Sequence, residues 1–325
     1  MKRRTFIAAL GGAAAWPVMA RAQQQTVIPV VGVLSPQAST DSTVEGLRAG
    51  LRELGYTEGR NIRYEPRWAN GNFNKLSDLA AELVALRVNV IVTSVTQASL
   101  AAKKATSTIP IVMIGVADPI AVGLIASLAH PGGNVTGTSS MAAALAAKQL
   151  ELLKETVPNV SRIAALWNPA NVPFQTLQVN QAQTAARALG IELTLFEAKT
   201  PSEFDPVFAA IDKDGLRVLL ILLDPLFATN FRMLVDLSVK RRLITMTGYR
   251  AFVDAGGLMA YGPNYFNMYK LAAVYVDKIL KGSKPADLPV EQPAKFEFVI
   301  NMKAAKALGL DLPASVLARA NEVIE

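Results

Sequence analysis

Cysteine is absent from the 325-residue sequence, and histidine occurs once, at His130. The absence of cysteine excludes disulfides, thiolate catalysis and the lipid-modified cysteine of bacterial lipoproteins. His130 stands between Ala129 and Pro131 in a predicted turn, so neither a paired-histidine metal site nor a serine–histidine couple is expected. The protein must draw its stability from apolar cores, for which a hydrophobic fraction of 51% is ample.

The motifs of common nucleotide-binding and hydrolytic sites are also missing. The glycines of residues 132–137 have neither the spacing nor the strand–turn–helix setting of G-x-G-x-x-G, and the Walker A and G-x-S-x-G patterns do not occur. The acidic residues Asp212 and Asp214 flank Lys213 at a predicted helix end, which is an ordinary place for them. We therefore expect no catalytic residues, no metal and no cofactor, and the protein is not expected to be an enzyme.

Positive charge is small once the first 22 residues are set aside. The formal charge of the chain is +7, but Lys2, Arg3, Arg4 and Arg21 account for four of those charges. The rest of the chain holds 29 basic and 26 acidic side chains, a net charge of +3. Its densest basic run, residues 240–242, stands at a predicted helix end, where cations complement the helix dipole. No nucleic-acid partner is expected, because such a partner requires a concentrated basic face.

The first 22 residues have the pattern of an export signal. A basic group at residues 2–4 precedes an apolar run at residues 6–10, and residues 20–22 form a small-residue A-x-A site. The apolar run is far shorter than the roughly 20 residues of a membrane span. We predict a signal peptide cleaved near Ala22–Gln23 and a periplasmic location. The pair Arg3–Arg4 resembles a twin-arginine signal, and a general secretory signal is the alternative that the sequence leaves open.

After the signal, short aliphatic runs alternate with longer segments of helical periodicity. The first series predicts strands at residues 30–34, 88–92 and 109–114, and a second series predicts strands at residues 163–167, 191–195, 218–223 and 243–247. Continuous apolar strands separated by helices indicate a parallel sheet covered on both faces. The fold class is therefore α/β, with two doubly wound Rossmann-like lobes joined by a hinge.

The end of the chain predicts a return between the lobes. A helix at residues 268–280 leads into a proline-rich connector, and a strand at residues 296–301 is followed by helices at residues 302–308 and 315–323. We expect a first lobe of residues 23–138 and 262–292, and a second lobe of residues 139–261 and 293–325.

Polar residues follow the predicted strands of both lobes. In doubly wound sheets, ligands bind beyond the carboxyl ends of the strands. Carboxylates there suit an ammonium group, whereas hydroxyls and helix N-termini suit a carboxylate, so the set favours a zwitterion. Each residue also has an ordinary role as a turn former or N-cap, above all the two aspartates that precede proline. The candidate ligand-binding residues are Ser35, Thr93, Ser94, Thr96, Gln97, Asp118, Ser139, Asn168, Asp224 and Tyr249.

Several longer segments are typical of one family. They lie at residues 46–48, 54–61, 79–84, 105–112, 118–119, 127–137, 256–259, 261–263 and 287–293. With them the sequence resembles, nearly end to end, the solute-binding proteins of ABC transporters that include tryptophan- and phenylalanine-binding members of the type I periplasmic fold.

The resemblance implies a monomer whose lobes close on a small solute, an amino acid or an aromatic compound. It also implies delivery to an inner-membrane permease that is driven by a separate ATPase. The resemblance implies that Asp224 and Tyr249 line the second wall of the cleft. The positions that match the cleft turns of relatives holding an aromatic amino acid are Thr93, Ser94, Thr96, Gln97 and Asp118. The aromatic side chains that could stack on a ring are Phe227, Tyr249, Phe252 and Tyr261.

Two other functions remain open from the sequence. The first is an exported enzyme on the same fold, since a fold does not fix a function. The second is a periplasmic sensor that presents its ligand-loaded form to a receptor.

Overall fold

A computed structural model describes residues 28–37, 43–293 and 295–325. The predicted signal peptide, residues 1–22, lies outside the described residues. No helix within them combines the length and the apolar character that a bilayer crossing requires.

The first lobe is built on a parallel sheet that includes the N-terminal strand. Its strands pair in parallel throughout, as the apolar runs of the sequence predict. Among the described residues, the spatial order is β2 (Arg63–Trp68), β1 (Val30–Ser35), β3 (Val90–Ser94), β4 (Ile111–Val116) and β5 (Val135–Ser139).

Helices cover both faces of this sheet. Side chains alternate between the faces along β3, so Val90 and Val92 enter one apolar core and Ile91 enters the other. Full burial of such a side chain stabilises the fold by about 1.5–3 kcal/mol. The first core is covered by α1 (Thr43–Glu53) and α10 (Tyr265–Leu280), and the second by α2 (Leu76–Ala85) and α3 (Val95–Ala105).

The second lobe has a longer sheet. Within the described residues its spatial order is β12 (Glu322–Ile324), β11 (Phe296–Asn301), β10 (Met259–Pro263), β9 (Ile244–Thr247), β8 (Val218–Ile221), β6 (Arg162–Trp167) and β7 (Glu192–Glu197). Its pairs are parallel except that β11 runs antiparallel to β10. The exception arises because the chain leaves the sheet at the end of β10, forms α10 on the first lobe, and re-enters at the same edge, where Phe296 at the start of β11 pairs with Pro263.

Helices also cover both faces of the second sheet. One core contains residues of α4 (Ala142–Thr156), α5 (Val172–Ala188), α11 (Met302–Leu308) and α12 (Ala314–Leu317). The other contains residues of α6 (Phe204–Lys213), α7 (Pro225–Ala228) and α8 (Phe231–Lys240), together with Phe252 of α9 (Arg250–Asp254). The prediction of two doubly wound α/β lobes is confirmed.

The chain crosses between the lobes along adjacent segments. Thr138 at the end of β5 pairs as an isolated bridge with Glu291, whose carbonyl accepts from Ser139 N at 2.9 Å. Glu291 N in turn donates to Gly137 O at 3.0 Å. Two of the crossing segments are therefore hydrogen-bonded side by side.

The helix predicted at residues 315–323 is wrong in its second half. α12 ends at Leu317, and Glu322–Ile324 forms β12, which pairs in parallel with β11. The apolar residues Val316, Leu317 and Ala320 have helical spacing, but the free edge of β11 offers backbone partners that the sequence pattern does not show. In the first lobe, β3 and β4 each begin two residues later than predicted.

Candidate functional site

A cavity of about 610 Å³ lies between the lobes, at the carboxyl ends of strands from both sheets. The first lobe, with the start of α10, contributes Gln37, Ser94, Val95, Ile114, Tyr265, Phe266 and Tyr269. The second lobe and the crossing segments contribute Ala228, Thr229, Phe231, Tyr249, Arg250, Ala251, Asp254, Pro263, Asn264 and Glu297. The volume lies within the range of about 300–1,000 Å³ that small-molecule sites occupy.

The polar wall of the first lobe is a small hydrogen-bond network. Ser94 Oγ donates to Ser35 Oγ at 2.8 Å and lies 3.0 Å from Gln37 Oε1. Ser35 Oγ donates to the same Gln37 oxygen, and Gln37 N donates back to Ser35 Oγ at 3.2 Å. Ser35 is fully buried behind this network, so it supports Ser94 and Gln37 where they face the cavity.

The N-terminus of α3 meets the cavity beside this network. Ser94 is the N-cap of α3, but its side chain makes no capping hydrogen bond, because its hydroxyl is used by Ser35 and Gln37. Val95 follows with φ +56°, a left-handed conformation that costs a β-branched residue about 1–2 kcal/mol. The strained turn brings the amino end of an 11-residue helix, with its partial positive charge, to the cavity wall.

Aromatic rings form the largest apolar part of the wall. Tyr249 lies between Tyr265 and Phe231, with ring centroids 5.4 Å and 5.3 Å away. Phe231 also contacts the buried ring of Phe252 edge-on at 6.2 Å. Tyr265 is partly buried, and desolvation of its hydroxyl raises the pKa of that group above the ordinary tyrosine range. The row of rings runs from the start of α10 through the cavity wall into the second core.

Charged and amide groups occupy the side of the cavity nearest the crossing segments. The guanidinium of Arg250 donates to both carboxylate oxygens of Glu322, and its Nε lies 3.5 Å from Asp254 Oδ2. The hydrogen bonds to Glu322 raise the pKa of Arg250 above its usual value. Asn264 Nδ2 donates to Glu297 Oε1 at 2.9 Å. Two carboxylates, Asp254 and Glu297, therefore line the same cavity.

Asp224 lies at the carboxyl end of β8, fully buried and engaged in internal hydrogen bonds. Its Oδ1 accepts from Asn168 Nδ2 at 3.0 Å and from Leu226 N at 2.9 Å. Its Oδ2 accepts from Asn171 Nδ2 at 2.6 Å and Gln175 Nε2 at 3.2 Å. Burial raises the pKa of the Asp224 carboxyl, and these four donors act against that rise. The carboxylate fixes the start of α7, whose last residue, Ala228, lines the cavity.

Of the predicted residues, Ser94 and Tyr249 belong to the cavity lining, and the others lie behind it or beside it. Thr93 is buried, with its Oγ1 2.7 Å from Ser99 Oγ. Asp118 caps a turn, because its Oδ1 accepts from the backbone N–H groups of the second and third residues after it.

Thr96 and Ser139 both hold Ala117, the residue that follows β4. Ala117 N donates to Thr96 Oγ1 at 3.4 Å, and Ser139 Oγ donates to Ala117 O at 3.3 Å. Gln97 differs from them, since its amide oxygen and nitrogen are buried and have no hydrogen-bond partner among the described residues.

The other aromatic candidates belong to packing contacts. Phe227 and Phe252 are fully buried in the core of the second lobe. Tyr261 packs on Phe296 and Phe298, with centroids 5.7 Å and 6.4 Å away. These three side chains do not line the cavity among the described residues.

Sequence patterns did not single out several residues of the cavity. Gln37 comes two residues after Ser35, and Phe231, Arg250, Asp254, Asn264 and Glu297 lie in or beside short elements of the second lobe. One usable signal was present, because Tyr265, Phe266 and Tyr269 form an aromatic group at the start of the long helix α10. No group of three potential metal ligands occurs in the part of the chain that the structure describes.

A cavity enclosed by two α/β lobes and lined by rings, hydroxyls and carboxylates defines a protein that binds a small molecule. The chain belongs to the ABC transporter substrate-binding protein family, whose model matches residues 28–324. Proteins of this family bind a solute outside the cytoplasm and deliver it to a membrane permease, and the fold is that of type I periplasmic binding proteins.

Individual relatives cover most of the chain. A tyrosine-binding protein from Clostridioides difficile is 27% identical over 280 residues, which cover 86% of this chain and 80% of the relative. A solved conserved domain protein from Vibrio cholerae is 30% identical, with a TM-score of 0.83 over 91% of this chain and 99% of that one. An ABC domain from Streptococcus pneumoniae in complex with L-Trp is 28% identical, with the same TM-score and the same coverage.

Proposed function

We propose that this protein binds an aromatic L-amino acid in the cavity between its lobes and delivers it to an ABC permease. The observation that carries the proposal is the set of rings that line the cavity, above all Phe231, Tyr249 and Tyr265. Aromatic pairs prefer centroid separations of about 4.5–7 Å, and a ligand ring can take such a place beside them. The tyrosine-binding relative and the L-Trp complex support the same ligand class.

The carboxylate of the ligand would lie at the N-terminus of α3. The first N–H groups of a helix have no partner within the helix, and the Ser94 side chain does not cap them. Ser94 and Gln37 offer polar side chains beside that helix end. A carboxylate placed there receives backbone donors and the favourable helix dipole together.

The ammonium group would lie near Asp254 and Glu297. Both carboxylates line the cavity, but Asp254 is also an ion-pair partner of Arg250, whereas Glu297 accepts from the neutral amide of Asn264. Because the positive charge of Arg250 is paired with Asp254 and not with Glu297, we assign Glu297 the larger share of ammonium recognition. Ser94 and Tyr249 are the predicted residues assigned to direct contact, and the positions of Ser35 and Asp224 favour indirect support.

Calorimetry with L-Trp, L-Tyr, L-Phe and L-Leu tests the proposal. The three aromatic amino acids should bind more tightly than L-Leu, and 3-phenylpropionate, which lacks the ammonium group, should bind at least tenfold more weakly than L-Phe. Glu297→Gln should remove most of that difference, with Glu192→Gln on the exposed edge strand β7 as a control. Failure of every aromatic amino acid to bind, with no solute retained in native mass spectrometry, would rule the ligand class out.

We further propose that the two lobes close on the ligand as units, with boundaries near residues 138, 261 and 292. A ligand shifts such a hinge toward the closed form in proportion to its differential affinity for that form. Small-angle scattering with and without the bound amino acid should show a smaller radius of gyration in its presence. An unchanged radius at saturation would argue against hinge closure.

The remaining proposals concern the export of the protein and its partners in the cell. We propose export to the periplasm as a monomer, cleavage of the signal near Ala22–Gln23, and a permease that is driven by a separate ATPase. N-terminal sequencing of the periplasmic protein checks the cleavage, and an Arg3→Lys/Arg4→Lys variant that is no longer exported would assign the twin-arginine route.

Enzymatic and sensory roles make different predictions. A binding protein returns its amino acid chemically unchanged after prolonged incubation, whereas an enzyme on the same fold yields a product. Uptake of labelled amino acid that depends on this protein separates transport from a purely sensory role.

A further inference from the structure

A groove of about 670 Å³ lies on the second lobe, away from the cavity. Arg217 directly precedes β8 and Arg242 lies two residues before β9, so the groove is at the amino ends of these strands. The cavity instead lies beyond the carboxyl end of β9, where Tyr249 follows the strand. The two sites therefore occupy opposite edges of one sheet.

Basic side chains dominate the charged groups of this groove. Lys240, Arg241, Arg242 and Arg217 line it together with a single acid, Asp212. Arg217 is paired with Asp212 at 2.5 Å. Lys240 and Arg242 are exposed and form no ion pair with any residue that the structure describes. The groove thus carries uncompensated positive charge.

Arg241 is the most constrained of these cations. Its side chain is only 10% exposed, and Nη2 donates to the carboxylate of Asp205 at 2.7 Å and to the Asp205 carbonyl. The other terminal nitrogen, Nη1, is buried and has no hydrogen-bond partner among the described residues. Buried donors of a guanidinium are almost always paired, so this one lacks an acceptor that something else would supply.

The helix dipole explains only part of the cluster. α8 and α11 end at the groove, and Arg242 Nη2 donates to Leu308 O at the end of α11, 3.2 Å away. That contact satisfies a C-terminal carbonyl in the ordinary way. The dipole likewise suits Lys240 in the last turn of α8, but it leaves the Arg241 Nη1 donor without an acceptor.

We propose that this groove binds a phosphate group, with Arg241 Nη1 donating to a phosphate oxygen and Lys240 and Arg242 neutralising the charge. A free phosphate carries about 1.5–2 negative charges at neutral pH and a phosphodiester headgroup carries a single charge, and both offer more acceptor oxygens to the neighbouring cations than a carboxylate does. The phosphate belongs either to a free anion or to an anionic lipid headgroup. Because the groove and the cavity lie at opposite sheet edges, phosphate binding does not require the amino acid.

Titration of the full chain with inorganic phosphate and pyrophosphate at low ionic strength tests the first source. Co-sedimentation with phosphatidylglycerol vesicles, compared with phosphatidylcholine vesicles, tests the second. Lys240→Gln/Arg242→Gln should weaken binding about tenfold or more, and Arg241→Gln should do so alone, since charge-assisted hydrogen bonds are the strong ones. Lys104→Gln/Lys284→Gln removes the same charge from exposed positions of the first lobe and is the control.

Saturable binding of the free anions, or of phosphatidylglycerol vesicles alone, supports the groove and identifies the source if the groove substitutions weaken it and the control pair does not. Equal weakening in the control pair, or no saturable binding of either probe, overturns the proposal. Arg241 is nearly buried, so the folding of Arg241→Gln is checked by circular dichroism, and the two exposed substitutions decide the outcome if that variant does not fold. All variants that fold should keep the affinity of the parent for aromatic amino acids.

Discussion

Tyr249 and Tyr265 stack across the two lobes, with ring centroids 5.4 Å apart and ring planes inclined by 30°. Tyr249 follows β9 of the second sheet, whereas Tyr265 begins α10, which packs on the first sheet. Both rings line the cavity. The same pair therefore connects the lobes and forms part of the surface that a ligand meets.

Tyr249→Leu should weaken the binding of aromatic amino acids by about 3- to 10-fold. The change removes a ring–ring interaction worth about 0.5–1.5 kcal/mol and leaves an aliphatic side chain in its place. Calorimetry measures the change in Kd. Tyr64→Leu removes a half-buried tyrosine of the first lobe that is not part of the cavity and should leave Kd unchanged. Equal losses in the two variants would mean that Tyr249 acts only through general stability.

Ser94→Ala should lower affinity by about fivefold and should also lower the free energy of unfolding by about 1 kcal/mol, because Ser94 is buried and hydrogen-bonded. The hydroxyl lines the cavity and joins Ser35 and Gln37, and a net hydrogen bond is worth about 1 kcal/mol.

The matched variant is Ser99→Ala, which removes a buried hydroxyl that contacts Thr93 and the Val95 carbonyl. It should lower the free energy of unfolding by about 1 kcal/mol and leave the ligand Kd nearly unchanged. Because both variants should lose similar stability, the ligand Kd separates the two roles, and an equal loss of affinity in Ser99→Ala would contradict the assignment of Ser94 to the ligand.

Asp224→Asn should flatten the dependence of stability on pH above pH 4. Burial raises the pKa of Asp224 in the folded protein, whereas the unfolded chain has the ordinary aspartate pKa of about 3.9. Between these two values the folded state binds more protons than the unfolded state, so stability falls as the pH rises through that window. Urea unfolding at a series of pH values between 4 and 8 measures the slope in parent and variant.

Glu322 should give a pH dependence of stability that is opposite in sign to that of Asp224. The hydrogen bonds from Arg250 lower the pKa of Glu322 in the folded state. Its stabilising effect is therefore present above the unfolded pKa of about 4.3 and is lost as the pH falls through the folded value. Asp224→Asn should leave this acid-side loss intact, whereas Glu322→Gln should remove it. A steep neutral slope that persists in Asp224→Asn would show that another group is responsible.

Gly137→Ala should destabilise the protein severely, by about 4 kcal/mol. Gly137 has φ +128°, and an added Cβ would lie 2.0 Å from Met113 O in the neighbouring strand β4. The clash is with backbone, which cannot move aside cheaply. Gly133→Ala is the control, since nothing lies within 4 Å of its added Cβ, and its free energy of unfolding should change by less than about 0.5 kcal/mol.

Several strands were predictable because each is a short run of aliphatic residues that is buried on both faces. β1, β3 and β4 of the first lobe show this pattern directly. The edge strand β12 was not predictable, because its three residues pair through backbone groups and carry no pattern of their own. The antiparallel return of β11 depends on where the chain goes after α10, which no local signal encodes.

The sequence was enough to locate the candidate site at the carboxyl edges of the sheets, but not to tell which side chains at those edges face the cavity. Thr93 and Ser94 are adjacent, but strand alternation directs Ser94 toward Gln37 and the cavity, and Thr93 toward Ser99. A shift of one residue in the predicted strand would exchange the directions of the Thr93 and Ser94 side chains. Asp224 is a similar case, because whether its oxygens face a ligand or nearby amides depends on where Asn168, Asn171 and Gln175 lie.

The position of α10 has a consequence for the order in which the lobes mature. This helix covers one face of the sheet that begins with β1, yet it is encoded after most of the second lobe. A growing chain that stops at residue 264 has made every described strand of the first sheet, but only α1 then covers that face, and the apolar residues that α10 packs against remain exposed to solvent. Proteases and chaperones should therefore recognise the N-terminal half until about residue 280 has emerged, however early its own strands are synthesised.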